Sequence, residues 1–489
     1  METRFSRIAA FILLAVCIMV FAVRLAGPPM LADNDQERPA SYALDAVRNG
    51  HWICQMDWMG RIASKPPIYT WLVALFTLLF GRISLLALYL PTALAITGAA
   101  FLVLRSGGIR FGWRAGFLGA MVFVLSPMMM KLITLARTDA LFAAGVTLGA
   151  LIALRAWETG KGWTWFWLVA AVTTLTKGPL GVVLSAGGLF TALWEKKNGT
   201  PLPLRGRAWP GFILFLVIVG GWFYLAYAEF GQALVDKMIG KELVGHAVQN
   251  HRGGLPGSKL YMSPGYFLVR FAPWSFVACA GFWRVMRRPS PEERERRFER
   301  FTFCWFFTGL LIFSIAPHQR GDLLAPLIPA AALLAGRELD RWLRRLSGSQ
   351  VLAVGAALTG VVLCIQSVSL DFKRNEKLIH RTIGMKILAG QIEARLGEDA
   401  DILHVDTPYT LQFYLNTMKP IITSEMASSK LGGQEHVTVA ACDWGRIRKH
   451  MKKPRVPLYE VAKWPASETP QLRVMSNHPV KDGQQPVEW

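Results

Sequence analysis

Cysteine is scarce in this sequence, and its spacing carries no metal-binding or redox motif. The chain has 489 residues and six cysteines, with no Cys-x-x-Cys pair and no Cys/His cluster of zinc spacing. A disulfide between Cys54 and Cys442 is one interpretation, and two unpaired thiols are the other. The remaining cysteines lie in apolar runs: Cys17, Cys279, Cys304 and Cys364.

Acidic residues are also few, with 33 Asp and Glu against 54 Lys and Arg, for a net charge of +21. In a soluble protein this excess would suggest nucleic-acid binding. Here 52% of the residues are hydrophobic, and they come in repeated runs near the roughly 20 residues that span a bilayer as a helix. We therefore predict a polytopic membrane protein without a nucleic-acid partner, because cytoplasmic loops of membrane proteins collect Lys and Arg.

The basic loops predict a topology. Arg4 and Arg7 precede the first apolar run, which places the N-terminus in the cytoplasm and residues 27–67, called the first loop below, outside. Four later basic loops are assigned to the cytoplasm: 105–114, 195–207, 284–300 and 337–345. The segments assigned to the outside are then 136–139, 176–179, 229–263, 316–322 and the tail after 371.

The predicted number of membrane spans depends on one stretch where the number of apolar runs disagrees with the topology. Three apolar runs, 68–80, 83–104 and 112–130, separate two segments that must both lie outside. The short run 68–80 is therefore predicted to be embedded or re-entrant, leaving about 11 spans, or about 13 if runs have been merged. The first run could instead be a cleaved signal peptide, but no small-x-small site follows it.

The composition changes at residue 371, which predicts two domains. Residues 1–370 form the membrane domain, with the first loop and 229–263 as its large outside loops. Residues 371–489 form a small α/β domain outside the membrane, of a size that folds as a unit. The predicted elements in it are strands within 401–407 and 436–442 and a helix over 411–416.

Charged residues converge on the outside face. The first loop mixes acidic with basic side chains, and charged groups beside hydrocarbon are costly and usually have a task. Cations there would hold a phosphate with a lipid tail, and a carboxylate would take a proton from a nucleophile. Alternatively, these are ordinary interface charges at helix ends. The candidates are Asp35, Arg38, Lys65, Arg137, Asp139, Lys177, His318 and Arg320.

Short motifs recur in a fixed order along the chain. In the first loop they are Asp35-Gln36-Glu37-Arg38, Gly50-His51-Trp52 and Lys65-Pro66-Pro67 with Trp71 beyond. Later ones are Arg137-Thr138-Asp139, Leu175-Thr176-Lys177-Gly178-Pro179, and Phe313-Ser314 with His318, Arg320, Pro326 and Pro329. From residue 24 to 340 this order resembles the bacterial membrane glycosyltransferases related to protein O-mannosyltransferases, a group that includes the aminoarabinose transferases of lipid A.

The resemblance implies an all-α membrane protein of the GT-C fold in a bacterial inner membrane, with its active site and C-terminal domain in the periplasm. It implies inverting transfer of a sugar from a polyprenyl-phosphate donor to a hydroxyl of lipid A, another envelope glycolipid or a protein. Asp35 and Asp139 would be catalytic. The residues implied to bind the donor phosphate are Arg38, Lys65, Arg137, Lys177, His318 and Arg320.

The sequence departs from the family pattern where a metal would bind. Some members use a glutamate directly before Lys-Pro-Pro, and this position is Ser64 here. No cofactor is therefore predicted firmly, and a divalent metal stays open as the alternative. Glu242 and His246 are four residues apart and would share one helix face, which makes them candidate ligands; the alternative is a solvated surface helix. Gln36 and Gln319 replace a family glutamate and lysine.

Two other functional classes stay open. A transporter or flippase of lipid-linked sugars would also gather charges near lipid, but it should show paired internal repeats and ionisable residues at mid-membrane. A non-catalytic assembly partner would tolerate the loss of Asp35. The enzyme interpretation predicts that Asp35→Asn abolishes transfer.

Overall fold

The computed structural model describes residues 2–244, 257, 259–373, 376–398, 400–451, 456–465, 471–481 and 483–487. The chain divides into two compact units. The first consists of Met1–Gly27, Ser64–Tyr69 and Tyr89–Ser369. The second consists of Pro28–Ala63, Thr70–Leu88 and Leu370–Trp489, so most of the first loop is grouped with the C-terminal region.

Helices dominate both units. As far as Leu234 they are α1 Glu2–Ala26, α2 Asn34–Leu44, α3 Ile68–Phe80, α4 Leu85–Phe111, α5 Trp113–Val124, α6 Pro127–Leu132, α7 Asp139–Thr159, α8 Trp163–Lys177, α9 Leu180–Ala186, α10 Thr191–Lys197, α11 Trp209–Phe230 and α12 Gln232–Leu234. Short 3₁₀ or π segments follow several of them: Asp45–Asn49, Gly187–Phe190, Val235–Val244 and Gly321–Leu327.

The rest of the chain adds further helices and one small sheet. The helices are α13 Met262–Arg270, α14 Trp274–Arg287, α15 Glu293–Ile315, α16 Ile328–Trp342, α17 Gly348–Lys373, α18 Lys377–Leu396, α19 Tyr409–Tyr414, α20 Ser424–Leu431 and α21 Trp444–His450. The strands are β1 Ile402–Val405, β2 Thr438–Ala441, β3 Tyr459–Trp464 and β4 Leu472–Ser476.

The apolar runs become the helices of a multi-pass membrane protein. Among the described residues, six helices are long and apolar enough to cross a bilayer, by length and composition: α1, α4, α7, α11, α15 and α17. The sequence predicts about 11 spans, and the other apolar runs fall on shorter or more polar helices. Helix α3, the run predicted not to cross, has 13 residues. At about 1.5 Å per residue it is shorter than the roughly 30 Å hydrocarbon core.

Small residues let α5 and α16 approach closely inside the first unit. A Cβ atom on Gly336 would lie 2.3 Å from the backbone nitrogen of Gly119, and one on Gly119 would lie 2.9 Å from the carbonyl oxygen of Ala332. Membrane helices lack a hydrophobic force between them and associate through such close backbone packing. The pair forms the centre of the first unit, since nearly all of α5 is buried.

The second unit is built on a four-stranded sheet in the order β1-β2-β4-β3. β1 and β2 are parallel, and β4 runs antiparallel to both of its neighbours. The predicted strand–helix–strand order of this region is therefore confirmed. The first loop packs on it: the backbone N–H of Ile421 donates to the carbonyl of Trp58 at 3.2 Å, and Trp58 stacks on Tyr409 with ring centroids 4.8 Å apart. Cys54 and Cys442 are both free thiols.

Candidate functional site

An ion pair at the ends of two helices lies at the centre of the candidate site in the first unit. Asp139 is the first residue of α7 and Lys177 the last residue of α8. The Lys177 ammonium donates to Asp139 Oδ1, and the two side chains are 19% and 11% exposed. Lys177 also lies 5.5 Å from the centre of the Phe142 ring, a cation–π distance. Helix α8 ends there because Gly178 has a φ of +119°.

A second carboxylate holds two cations beside this pair. Asp322 lies in the first turn of the 3₁₀ segment Gly321–Leu327. It accepts from Arg137 Nη1 at 3.2 Å and from Lys131 Nζ at 3.1 Å. Its side chain is 12% exposed. Arg137 stands two residues before α7, so it bridges the two carboxylates: its charge also acts electrostatically on Asp139.

Arg320 completes the cluster. It lies close enough to Asp139 to act on it electrostatically, and its extended backbone leads directly into the 3₁₀ segment. His318 lies in the same connection after α15 and is half-buried. Next to it, the Gln319 amide donates to the carbonyl of Ser314 at 2.7 Å and fixes the turn. The cluster thus has four cations and two carboxylates, and its surplus positive charge suits a phosphate.

Contacts from earlier helices fix the loop that carries Arg137. Arg24 Nε, near the end of α1, donates to Thr134 Oγ1 at 3.2 Å. The Thr92 hydroxyl donates to the carbonyl of Ile133 at 2.9 Å. Anchoring of this kind limits the geometries that the Arg137 guanidinium can adopt, which favours a preorganised charge cluster over a loose interface.

The sequence missed two members of the cluster, Lys131 and Asp322. Lys131 follows three methionines in an apolar run, and an isolated lysine there is typical of a helix end. Asp322 closes the segment 316–322, which the basic loops assign to the outside face, and this charged position is the available signal. The structure brings the candidates Arg137, Asp139, Lys177 and Arg320 together.

Lys65 also belongs to the first unit. It is half-buried and is followed by Pro66 and Pro67, both buried. The prolines restrict the backbone immediately before α3, so the position of the lysine is set by the start of that helix.

Asp35 and Arg38 belong to the second unit, on α2. Asp33 caps this helix by accepting from the backbone N–H of Asp35 at 3.2 Å. The Asp35 side chain is exposed, whereas Glu37 is buried and accepts from the Thr410 hydroxyl at 2.6 Å. Burial raises the pKa of the Glu37 carboxyl, although the Thr410 hydrogen bond opposes the shift.

Two further buried carboxylates organise the first loop. Asp57 accepts from Arg61 Nε at 2.8 Å, and Arg38 Nε lies 4.0 Å from the same carboxylate. Asp45 accepts from His51 Nδ1 at 3.0 Å and from the backbone N–H of Met56 at 2.7 Å. These contacts hold the loop in place, and they give Arg38 an acidic neighbour within its own unit.

Known structures share this arrangement of helices. The crystal structure of ArnT from Cupriavidus metallidurans bound to undecaprenyl phosphate matches with a TM-score of 0.71 and 18% identity, covering 95% of this chain and 97% of that one. Its apo form matches with a TM-score of 0.68. The protein has the GT-C fold. The resemblance expected from the motifs is thereby confirmed.

Sequence comparisons agree with the GT-C assignment. Residues 64–238 match the family model described as dolichyl-phosphate-mannose-protein mannosyltransferase. A protein of Aquifex aeolicus is 26% identical over 68% of this chain and 64% of its own length. The putative mannosyltransferase YycA of Bacillus subtilis is 32% identical over 22% of this chain and 15% of its own length. The chain therefore spans less than two thirds of either relative.

The GT-C chain offers no metal cluster among the residues that the structure describes: no group of three or more His, Cys, Asp or Glu side chains comes together there. Of the two candidate ligands, Glu242 lies on the π segment Val235–Val244, with a side chain outside the described part. His246 lies outside the described residues altogether.

Proposed function

We propose that this GT-C protein is an inverting glycosyltransferase that uses a polyprenyl-phosphate sugar. The observation that carries the proposal is the cluster of Lys131, Arg137, Lys177 and Arg320 around two carboxylates. Such a surplus of cations beside membrane-spanning helices fits a phosphate attached to a lipid. The undecaprenyl phosphate bound by the structurally similar ArnT supports the same donor class.

In the proposed reaction an acceptor hydroxyl attacks the anomeric carbon from the face opposite the phosphate. A new C–O bond forms while the bond to the phosphate oxygen breaks, and the electron pair leaves with the polyprenyl phosphate. The leaving phosphate gains negative charge, so preset cations stabilise it more in the transition state than in the ground state. Arg137, Lys177 and Arg320 are assigned this role, with Lys65, Arg38 and His318 as further phosphate-binding candidates.

The two carboxylates that the resemblance implies to be catalytic, Asp35 and Asp139, receive different roles. Asp35 is exposed at the start of α2 and is assigned as the base that takes the acceptor's proton or orients its hydroxyl. Asp139 is bound to Lys177, so we assign it as the group that positions the lysine. Lys131 and Asp322 position Arg137 in the same way.

The proposed setting follows from the loop charges. Residues 1–370 would be the catalytic membrane domain of a bacterial inner-membrane protein with a cytoplasmic N-terminus. The active site and residues 371–489 would face the periplasm. The acceptor there would be a hydroxyl of lipid A, another envelope glycolipid or a protein.

The test is transfer of labelled sugar from a polyprenyl-phosphate donor pool in membranes that carry the wild type or Asp35→Asn. The matched control is Asp401→Asn, because Asp401 is a strongly exposed carboxylate of the same unit whose pair with Lys419 lies at the surface. We expect labelled product with the wild type and the control and none with Asp35→Asn, at equal protein levels.

The product identifies the acceptor when it is extracted as glycolipid or as protein. Equal transfer by the wild type and Asp35→Asn would contradict the assignment of the base. Absence of product from every variant, in membranes shown to contain the donor and envelope acceptors, would refute the transferase and favour a transporter or an assembly partner.

A further inference from the structure

A groove lies in the first unit at the end of the bundle remote from the charged cluster. It runs between the start of α1, the C-terminal half of α4 and the start of α5, and its volume is about 610 Å³. Helices α5 and α6 lead from this end back to the loop that carries Arg137. The lining residues are Ser6, Ala9, Ala10, Gly98, Phe101, Leu102, Leu104, Arg105, Gly108, Ile109 and Trp113.

Small side chains keep this groove open. Helix α1 packs on α5, where Phe5 stacks on Trp113 with ring centroids 5.4 Å apart. On the α4 side, a Cβ atom added to Gly98 would meet no protein atom within 4 Å. The space in front of Gly98 can therefore accept a ligand without displacing any side chain.

The groove joins an apolar wall to a positive charge. No acidic residue lines it, and Arg105 makes no ion pair with any residue that the structure describes. Neighbouring arginines are occupied: Arg110 binds Glu158 at 2.5 Å, and Arg114 binds Asp340 at 2.9 Å. Arg7, on the exposed start of α1, adds to the positive field at the same end.

We propose that this groove binds an anionic glycerophospholipid. One acyl chain lies along Ala9, Gly98 and Phe101, and the phosphate meets the Arg105 guanidinium. The volume falls in the range of about 300–1,000 Å³ typical of ligand pockets. Basic pockets between membrane helices on the cytoplasmic side bind anionic headgroups, and the basic loops place this end in the cytoplasm. The site is separate from the proposed transfer chemistry and stands without it.

The test is native mass spectrometry of the full-length protein in detergent, titrated with phosphatidylglycerol and, separately, with zwitterionic phosphatidylcholine. Gly98→Leu fills the groove, and Arg105→Gln removes its charge. The matched controls are Gly360→Leu, at another helical glycine with nothing within 4 Å of its Cβ, and Arg155→Gln, at an exposed arginine outside the groove. Leucine forms helices better than glycine, so both leucine variants should fold, which size-exclusion chromatography verifies.

We expect the wild type and both controls to retain one phosphatidylglycerol in preference to phosphatidylcholine. Arg105→Gln should weaken the binding of phosphatidylglycerol about fivefold, which is the contribution of one basic residue at an anionic surface. It should leave the binding of phosphatidylcholine unchanged. Gly98→Leu should abolish the retained lipid. Undiminished retention by Gly98→Leu, or an equal loss of both lipids in Arg105→Gln, would overturn the proposal.

Discussion

Replacing one member of the Asp139–Lys177 pair should cost far more than replacing both. The side chains are only 11% and 19% exposed, and removing one partner of a buried pair leaves an uncompensated charge, at about 3–5 kcal/mol. Lys177 keeps the Phe142 ring nearby, so we expect Asp139→Asn to cost about 3 kcal/mol. In the double variant Asp139→Asn/Lys177→Gln both charges are gone, and the two amides can still hydrogen-bond. The double variant should therefore cost about 1 kcal/mol at most, because replacing a buried ion pair as a whole is often close to neutral.

The assay is a double-mutant cycle on the free energy of unfolding in mixed micelles, with sugar transfer measured on the same preparations. A matched cycle on Arg110 and Glu158 serves as the control, because this pair is 10% and 16% exposed and lies outside the candidate site. Both double variants should recover stability. Only the Arg110–Glu158 double variant should recover transfer, since the phosphate-binding cation is missing from the other.

Two results would refute this reasoning. A loss below about 1 kcal/mol for Asp139→Asn would place the pair among exposed ion pairs, whose contribution is small, and the burial argument would be wrong. Recovery of both stability and transfer by the Asp139–Lys177 double variant would make the pair a scaffold contact and remove Lys177 from the phosphate-binding set.

Three further predictions concern stability. Burial lowers the pKa of His404 to about 4, against about 6.5 in the unfolded chain, so the folded state binds fewer protons. The free energy of unfolding should therefore fall by about 2 kcal/mol as the pH falls from about 7.5 to 5. A pH profile of unfolding that His404→Asn leaves unchanged would contradict this. Burial raises the pKa of Glu37, so the protonated carboxyl stabilises the folded state at low pH, and this stabilisation is lost as the pH rises above the ordinary pKa of 4.5. Glu37→Gln should flatten the pH profile of the free energy of unfolding above that pH and should lose no stability at pH 7. Gly336→Ala should destabilise by about 1–3 kcal/mol, because its Cβ would lie 2.3 Å from the Gly119 nitrogen, whereas Gly220→Ala, in open space, should leave the melting temperature in micelles unchanged or slightly raised.

Much of the fold could be predicted because hydrophobic runs and strand patterns are local. The long apolar helices and the strands β1 and β2 lie where composition places them. Contacts between side chains that are far apart in the sequence are harder to predict. The sequence predicts Asp139 and Lys177 on one face, but their hydrogen bond joins residues 38 positions apart and depends on how α7 packs on α8. Lys131 and Asp322, 191 positions apart, could be found only once the helices were placed.

The first loop shows why charge density alone is a poor guide to function. Its acidic residues invite interpretation as a reaction chamber, yet most of them hold the loop together: Asp33 caps α2, Glu37 binds Thr410, and Asp45 and Asp57 accept backbone N–H groups at 2.7 and 3.0 Å. These hydrogen bonds give each of the four carboxylates a structural role in the loop. The Asp35 side chain is exposed in the first turn of α2, and Asp35 is the carboxylate to which we assign the role of base. Asparagine at position 35 should therefore abolish transfer with little loss of stability, whereas at position 45 it should unfold the loop.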